Sequence, residues 1–422
     1  MVPPDSPSPE ADPPLVAESW QRRRPLLLLI AGGITLALMG LRGQADSLWV
    51  EVGFILAAAV SISVLISEAC DPFADAAQWV GVRFKVPPSV RGATLDAVAS
   101  SMPELFTGLF FVVVALTGSK DQTARILESA EGYGSTIATC AGSSVYNLIL
   151  IPAACAIAVV FRRPWRPYVQ IDRAVVNRDG LWVVLVQAGL LIFLFQPKLH
   201  WWMALLAILA YGAYVSHLYL ATRSFRRQLE QGQVESRNVA SSAGVFFGWF
   251  DVPLNGMSAS LILLACTAVA ATACYFLVEL TNSSAENLGV SPFFVAVILT
   301  AAVSSIPDTF MSVGSSLRGD DSGAVSNVFG SNIFDICIGM SIPLLVSCYL
   351  NDWQPVQLVG PDEQTLQGVT GLRILLFIMS VVAMSCMWKL QRISGRMALL
   401  FCFLYAVFVG YAVAGGLGLI SV

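Results

Sequence analysis

The chain has 422 residues, 56% of them hydrophobic and 12% charged, with a mean hydropathy of +0.71 and a formal net charge of −4. Soluble domains carry about 25% charged residues. The composition therefore excludes a water-soluble globular protein and a nucleic-acid-binding module, and describes a chain that crosses a lipid bilayer many times.

In chain order, residues 1–20 are rich in proline and acid and are expected to be disordered. The run RRRPLLLLIAGGITLALMGLRGQA follows. It reads either as a signal peptide cleaved after Ala45 or as a retained extra helix; the acidic stretch before it is atypical of a signal and favours the helix. A span needs roughly 20 apolar residues to cross about 30 Å of hydrocarbon. Runs of this kind fall at about 25–42, 50–70, 92–118, 135–160, 180–196, 200–221, 258–280, 291–317, 324–350, 371–390 and 396–419, eleven in all. The first is the extra helix or signal.

The other ten divide around a polar linker, residues 222–257, which is too short for a folded regulatory domain. This gives four parts: residues 1–48 (tail and extra helix or signal), 49–221 (first half), 222–257 (cytoplasmic linker) and 258–422 (second half). With five spans per half, the second half enters the membrane upside down, the arithmetic of an inverted repeat. The fold class is thus an all-α polytopic membrane protein with a ten-helix core of two inverted five-helix repeats. Basic residues agree with eleven spans and a cytoplasmic N-terminus. Only Arg42, Lys120, Arg125, Lys198 and Arg373 of the 24 Lys and Arg fall on the outer side.

The nine cysteines lie mostly in apolar runs without a C-x-x-C pair and read as small hydrophobes. His200 and His217 sit at the two ends of one span and read as interfacial anchors. Asn282-Ser283-Ser284 is a glycosylation sequon on the expected outer side.

The repeat is visible in the letters. SSMPELFTG begins at Ser100 and GSSVYNLILIP at Gly142; in the second half, SSIPDTFMS begins at Ser304 and GSNIFDICIGMSIP at Gly330. The gap between motifs is longer in the first half, where GSKDQTARILESAEGYG is inserted. Glu104 and Asp308 each follow a proline inside a span, where an ionisable group costs about 2.5–3.5 kcal/mol on insertion scales. Proline removes a backbone donor, so a bend is expected at each. A bent helix exposes carbonyl oxygens that are tolerated at membrane depth only in a cavity or against a partner. Two such helices offer hydroxyls, carbonyls and two carboxylates around one point. Calcium takes about 6–8 oxygen ligands, and two carboxylates neutralise it in a medium that penalises unbalanced charge. The second motifs add the oxygens of Ser143, Asn147, Ser331, Asn332 and Asp335, which suit a monovalent ion such as sodium. Gly142 and Gly330 allow close helix approach.

Singly, such serines and glycines are usually packing residues and such prolines simple kinks. The duplication lifts Glu104 and Asp308 above that reading. Asp96, two turns before Glu104, has Thr300 as its counterpart and stands as a third candidate acid, with the bland reading preferred. Glu68 and Asp71 read as capping or interface groups.

At these residues the chain resembles the sodium/calcium exchangers of the calcium/cation antiporter superfamily. GATLDAVASSMPELFTG and SSIPDTFMSVGSSLRGDDSGAVSNVFGSNIFDICIG are similar to that family's two alpha repeats, closest to its potassium-dependent branch, and SEACDPF to the end of its first core helix. The likeness covers about residues 64–155 and 291–345. It implies a central site that exchanges calcium for sodium by alternating access. Carried over, Glu104 and Asp308 are the calcium-ligating acids, assisted by Ser100, Ser304 and the carbonyls of Ala97 and Ala301. Ser101, Ser143, Asn147, Ser305, Ser331 and Asp335 complete the sodium sites, and the acid at Asp335 hints at potassium co-transport. Ala99 and Val303 stand where the family usually has glycine. Ser144 stands where many members have Asn, Arg91 where an acid or small residue is common, and Asp96 adds a charge.

No enzyme activity and no cofactor are expected; the partners are inorganic cations and the bilayer, with the oligomeric state unreadable. Calcium/proton antiport is the alternative, requiring carboxylates that titrate during the cycle. An intramembrane aspartyl protease, with Asp308 and Asp335 sharing a proton, leaves Glu104 and the repeated serines without a purpose. A non-transporting scaffold is the third reading.

Overall fold

The computed structural model describes residues 15–42, 48–84, 86, 91–117, 122–163, 166–221, 241–358 and 369–419. Residues 1–14 and 222–240, which hold most of the expected tail and linker, lie outside them. Eleven helical segments among the described residues are long and apolar enough to cross a membrane. Helix α1 (Leu15–Arg42) begins within the stretch expected to be disordered and packs along α2 (Leu48–Arg83). At 36 residues, α2 runs well past the apolar stretch at 50–70, because its polar second half stays helical.

Two central helices follow. A π-helical turn, Gly92–Asp96, leads into α3 (Ala97–Thr117). Helix α4 (Gln122–Val145) passes through a second π turn, Tyr146–Leu150, into α5 (Ile151–Arg162). The first half ends with α6 (Leu181–Leu194) and α7 (Trp201–Ala221). The second half opens with α8 (Gly256–Leu288), which packs against α2. Next come α9 (Pro292–Val295), a π turn at Ala296–Thr300, α10 (Ala301–Ser304) and α11 (Ile306–Leu317). Helix α12 (Asp321–Phe334) passes through a π turn, Asp335–Gly339, into α13 (Ser341–Leu350), and α14 (Val369–Leu390) and α15 (Gly395–Gly416) close the chain.

Short ribbons join the ends. β1 (Tyr168–Gln170) pairs with β6 (Arg392–Ser394), and β2 (Lys198–Leu199) with β5 (Val356–Gln357), so each ribbon ties one half to the other. Residues 241–255 of the expected linker form a hairpin, β3 (Ser242–Val245) with β4 (Phe250–Pro253).

The two halves repeat in backbone as well as letters. A shift of 204 carries the π turn 92–96 onto 296–300, and Glu104 onto Asp308. A π turn closes its ring at i→i+5 and widens the helix. Asp96, at the end of the first turn, accepts from Gln78 Nε2 of α2 at 3.1 Å. Thr300, at the end of the second, shares a 2.7 Å hydroxyl contact with Thr281 of α8. Equivalent positions thus bond to equivalent preceding helices.

The expected bend at each proline is realised differently. Helix α3 runs unbroken through Pro103, with Ser100 Oγ bonding the Asp96 carbonyl at 2.9 Å and Thr107 Oγ1 the Pro103 carbonyl at 2.8 Å. Hydroxyl back-bonding of this kind takes up carbonyls in a membrane helix. The second segment breaks at Ser305 (φ −85°, ψ 2°), so Pro307 falls in the first turn of α11, where its missing N–H costs nothing. The insertion in the first half is absorbed as helix: α4 has 24 residues before its π turn and α12 has 14. The sequon lies inside α8 with Ser284 buried, not in an exposed loop, because α8 continues past the apolar run at 258–280.

The halves cross at two glycines. A Cβ on Gly142 would meet the Val297 carbonyl oxygen at 2.4 Å and the Ala301 Cβ at 2.7 Å. A Cβ on Gly330 would meet the Ala93 carbonyl oxygen at 2.8 Å and the Ala97 Cβ at 3.1 Å. The same 204-residue shift relates Ala93 to Val297 and Ala97 to Ala301. Each motif helix therefore lies directly on the π turn of the opposite half. Gly142→Ala and Gly330→Ala are expected to destabilise the protein by about 1–3 kcal/mol each, the cost of overpacking a closed contact, with Gly142 the worse. Gly189→Ala, which meets nothing within 4 Å, serves as the control. Melting curves of purified protein in detergent measure all three, and unchanged transitions for both contact glycines would refute the crossing.

Candidate cation-binding site

The crossing brings four helical segments together and turns their polar side chains inward. Glu104 comes from α3, Ser143 and Asn147 from α4 and its π turn, Asp308 from α11, and Ser331 and Asp335 from α12 and its π turn. All six are fully buried, with 0% exposure.

Ser143 lies at the hub. Its Oγ is 3.2 Å from Glu104 Oε1, 2.9 Å from Asp335 Oδ2 and 2.8 Å from Ser305 Oγ. Asn147 Nδ2 is 3.4 Å from that same oxygen, and also 3.4 Å from both Asp308 Oδ2 and Asp335 Oδ2. Ser305 donates to Glu104 Oε1 at 3.1 Å, and Ser331 to Asp308 Oδ1 at 2.6 Å. Ser100 and Ser331 approach to 3.5 Å. One hydroxyl proton on Ser143 serves only one of its three oxygen neighbours at a time, so acceptors outnumber donors.

The surplus is visible atom by atom. Glu104 Oε2, Asp335 Oδ1, Asn147 Oδ1, Asn327 Oδ1 and Ser101 Oγ are buried without a hydrogen-bond partner among the described residues. No Lys, Arg or His among them forms an ion pair with Glu104, Asp308 or Asp335. Three buried carboxylates, two of them with an unpaired oxygen and none with a basic partner among the described residues, demand a counter-charge, from protons or cations. No three Asp, Glu, His or Cys side chains among the described residues converge tightly enough to grip a metal unaided. The donor set is mixed instead: carboxylate, hydroxyl and amide oxygens, which hard cations prefer.

Most residues singled out from the sequence meet here. Glu104, Asp308, Asp335, Ser100, Ser143, Asn147, Ser305 and Ser331 form one bonded network. Ser101 is buried with a free hydroxyl. The Ala97 and Ala301 carbonyls are not loose: each accepts a serine hydroxyl at 3.3 Å, from Ser100 and Ser304 respectively. Ser304 makes that bond and also lies against the Glu104 carboxyl. Asp96 is held by Gln78 outside the network. His217 accepts from Trp182 at 2.9 Å and His200 stacks on Trp202, as anchors would. Glu68 and Asp71 pair with Arg24 of α1, at 3.7 and 2.5 Å, an interface role.

Three residues of the site were missed from the sequence. Asn327 lies 3.5 Å from Asp308 Oδ1 and 3.1 Å from Ser312 Oγ. Its signal was the i, i+4 stripe Asn327, Ser331, Asp335 on one helix face. Ser312, one turn beyond Asp308, follows the same rule. Gln187 of α6 donates to Ser144 at 2.9 Å, and Ser144 bonds Asn332. Nothing in the local sequence around Gln187 announces that contact.

The model for the family described as "Sodium/calcium exchanger protein" matches residues 53–220 and 258–414. The chain belongs to the sodium/calcium exchanger family. Among curated relatives, human sodium/potassium/calcium exchanger 1 is 34% identical over 133 residues, which is 32% of this chain and 12% of the relative. Human sodium/potassium/calcium exchanger 2 is 34% identical over 121 residues, 29% of this chain and 18% of the relative. The chain thus matches under a fifth of the length of either. Two solved structures, native YfkE and the H+/Ca2+ exchanger CAX, share the fold at a TM-score of 0.59 and 14% identity. YfkE covers 93% of this chain and 99% of its own, and CAX 94% of each. The sodium-calcium exchanger NCX_Mj superposes at 0.51 with 18% identity, over 84% of this chain and 98% of its own. This family member accordingly shares their multi-pass membrane fold.

An overcrowded acid site should be relieved by either a cation or a neutralising substitution. Asp335→Asn is expected to raise the melting temperature in the absence of sodium and to shrink the sodium-induced rise. A cation at about 100 times its Kd stabilises by about 2.7 kcal/mol, so the loss is readily measured. A sodium-induced rise equal to that of the parent chain would argue against Asp335 as a cation ligand.

Proposed function

We propose that the chain is a secondary active antiporter that exchanges calcium for sodium across a membrane by alternating access. The observation that carries this reading is the trio Glu104, Asp308 and Asp335, drawn from both halves, fully buried and without a basic partner among the described residues. Glu104 and Asp308 are the calcium ligands in this reading, with Ser100, Ser304 and the Ala97 and Ala301 carbonyls near the same ion. Ser101, Ser143, Asn147, Ser305, Ser331 and Asp335 serve sodium.

Charge arithmetic supports ion exchange. Three carboxylates are balanced by one divalent and one monovalent cation, or by three monovalent ones, so competition between the two loads is built into the donor set. Potassium as the monovalent companion of calcium fits the same sum. The two human relatives are exchangers named for potassium as well as sodium and calcium. Glycine contacts on both π turns keep the four site segments together as one unit. Helices α1, α2 and α8 pack outside that unit, which suits rocking of one helix group against another around a fixed site.

Radiolabelled calcium uptake into proteoliposomes, with sodium, potassium and proton gradients applied one at a time, tests the reading. An outward sodium gradient is expected to drive uptake. Uptake driven only by a pH gradient would make the chain a calcium/proton antiporter, and no uptake under any gradient would leave a scaffold. Glu104→Gln and Asp308→Asn should each cut flux about a hundredfold or more, since removing one partner of a buried charge contact costs about 3–5 kcal/mol. Preserved flux in either variant counts against this site. Asp335→Asn should alter the response to potassium, and an unchanged response would remove potassium from the proposal.

A further inference from the structure

The hairpin between the two halves presents three large aromatic side chains outward. Its loop, residues 246–249, joins β3 to β4. Phe246 is 68% exposed, Trp249 68% and Phe250 60%. Two of the loop residues carry an unusual backbone: Phe246 and Phe247 have φ of 53° and 62°, followed by Gly248 at 72°. Bulky side chains rarely adopt this left-handed region, where steric cost favours glycine. A loop of Asn and Gly would form the same turn without strain. The aromatics at this tip are therefore a choice that local geometry opposes.

The hairpin is firmly seated. Its inner face packs Ala243, Val252 and Leu254 against Ala69 and Ala76 of α2 and Ala259 and Ile262 of α8. The Phe247 N–H donates to Glu68 Oε1 of α2.

Its depth follows from α2 and α1. Glu68 stands twenty residues beyond Leu48, the start of α2, or about 30 Å at 1.5 Å per residue, the thickness of the hydrocarbon layer. Arg24, which pairs with Glu68 and Asp71, opens the apolar window Arg24–Leu41 of α1. Both helices therefore leave the hydrocarbon at the level of the tip. Helix α8 begins three residues after β4, and its first turns expose Met257, Leu261 and Leu264 as lipid-facing side chains. The aromatic tip continues that lipid-facing surface.

We propose that Phe246, Trp249 and Phe250 form a membrane-docking tip that inserts into the headgroup boundary of the leaflet on the Arg24 side. Tryptophan and phenylalanine favour that boundary, where an apolar ring meets a polar layer. The tip thereby ties lipid to α2 through the Phe247–Glu68 bond and to α8 through the chain. The proposal does not depend on the transport reading.

Trp249 reports on its own surroundings. The protein has 10 tryptophans, so the signal is the emission of the parent chain minus that of Trp249→Phe, both in proteoliposomes, with Trp249→Tyr as a second subtraction. Lipids brominated at shallow acyl positions are expected to quench this difference by about half or more, as for a ring at the interface. Aqueous iodide should quench it weakly. Strong quenching by iodide with none from brominated lipid would place the tip in water and overturn the proposal. Resistance to both quenchers would mean that protein, such as a second copy, covers the tip, and would overturn it equally. Triple substitution of Phe246, Trp249 and Phe250 by serine should leave the quenching of the remaining tryptophans unchanged; a general change would assign the effect to misfolding and defeat the docking role.

Discussion

The structure is organised around a charge that cannot remain alone. Glu104, Asp308 and Asp335 are removed from water in a protein whose surroundings are hydrocarbon. Isolated carboxylates in such a medium carry a very large desolvation penalty. Evolution's usual remedy, a buried Arg or Lys, is absent from this cluster among the described residues. Hydroxyls and amides stand in its place, and they donate too few protons to satisfy all the oxygens. The unpaired oxygens are left to be matched by protons or by cations. A cation bound there would add its binding energy to folding stability at the same atoms.

Holding those acids together requires helices to approach more closely than ordinary side chains permit. Gly142 and Gly330 supply that approach, each against the π turn of the other half. The π turns and the glycines are thus parts of one contact, used twice. Symmetry is broken where chemistry differs. Asn147 faces Asp335 across the pseudo-two-fold relation, an amide against an acid at equivalent positions. The first motif helix is continuous and the second breaks at Ser305, which frees that serine to reach Glu104 across the interface. An even site would bind two equal loads; this one has three acids and an uneven ring of neutral oxygens.

Around the centre, polar contacts at the helix ends tie loops to the motif helices. Asp321, at the start of α12, takes Arg163 at 2.8 Å and the Gln170 N–H at 2.8 Å. Asp179 receives two 2.7 Å bonds from Arg178 and one from Ser326 at 3.0 Å. Both acids link the segment after α5 to α12 of the other half. With the β1–β6 and β2–β5 ribbons, they stitch the halves together around the site. On the other flank, Arg24 draws α1 onto α2 through Glu68 and Asp71.

The sequence by itself determined the number of spans, the duplicated motifs and the identity of the acids. Each rests on a property that survives without coordinates: apolar run length, repeated letters, and the rarity of carboxylates in apolar segments. It also carried most of the oxygen ring, because Ser100, Ser143 and Asn147 lie within the motifs. Tertiary structure alone decided where the backbone departs from ideal helix. The paired π turns share only one letter in register, GATLD against AVILT, so the widened turns upstream of Pro103 and Pro307, and the break at Ser305 in the second segment alone, were not legible. Packing alone brought in Gln187, whose partner Ser144 lies on another helix, while Asn327 stood one turn beyond a motif's edge on a stripe that the letters carried. The linker hairpin, too, exists because Ala243 and Val252 find α2 and α8 to rest on. Local letters state which residues are costly to bury, and only the folded arrangement of both halves shows what they are buried against.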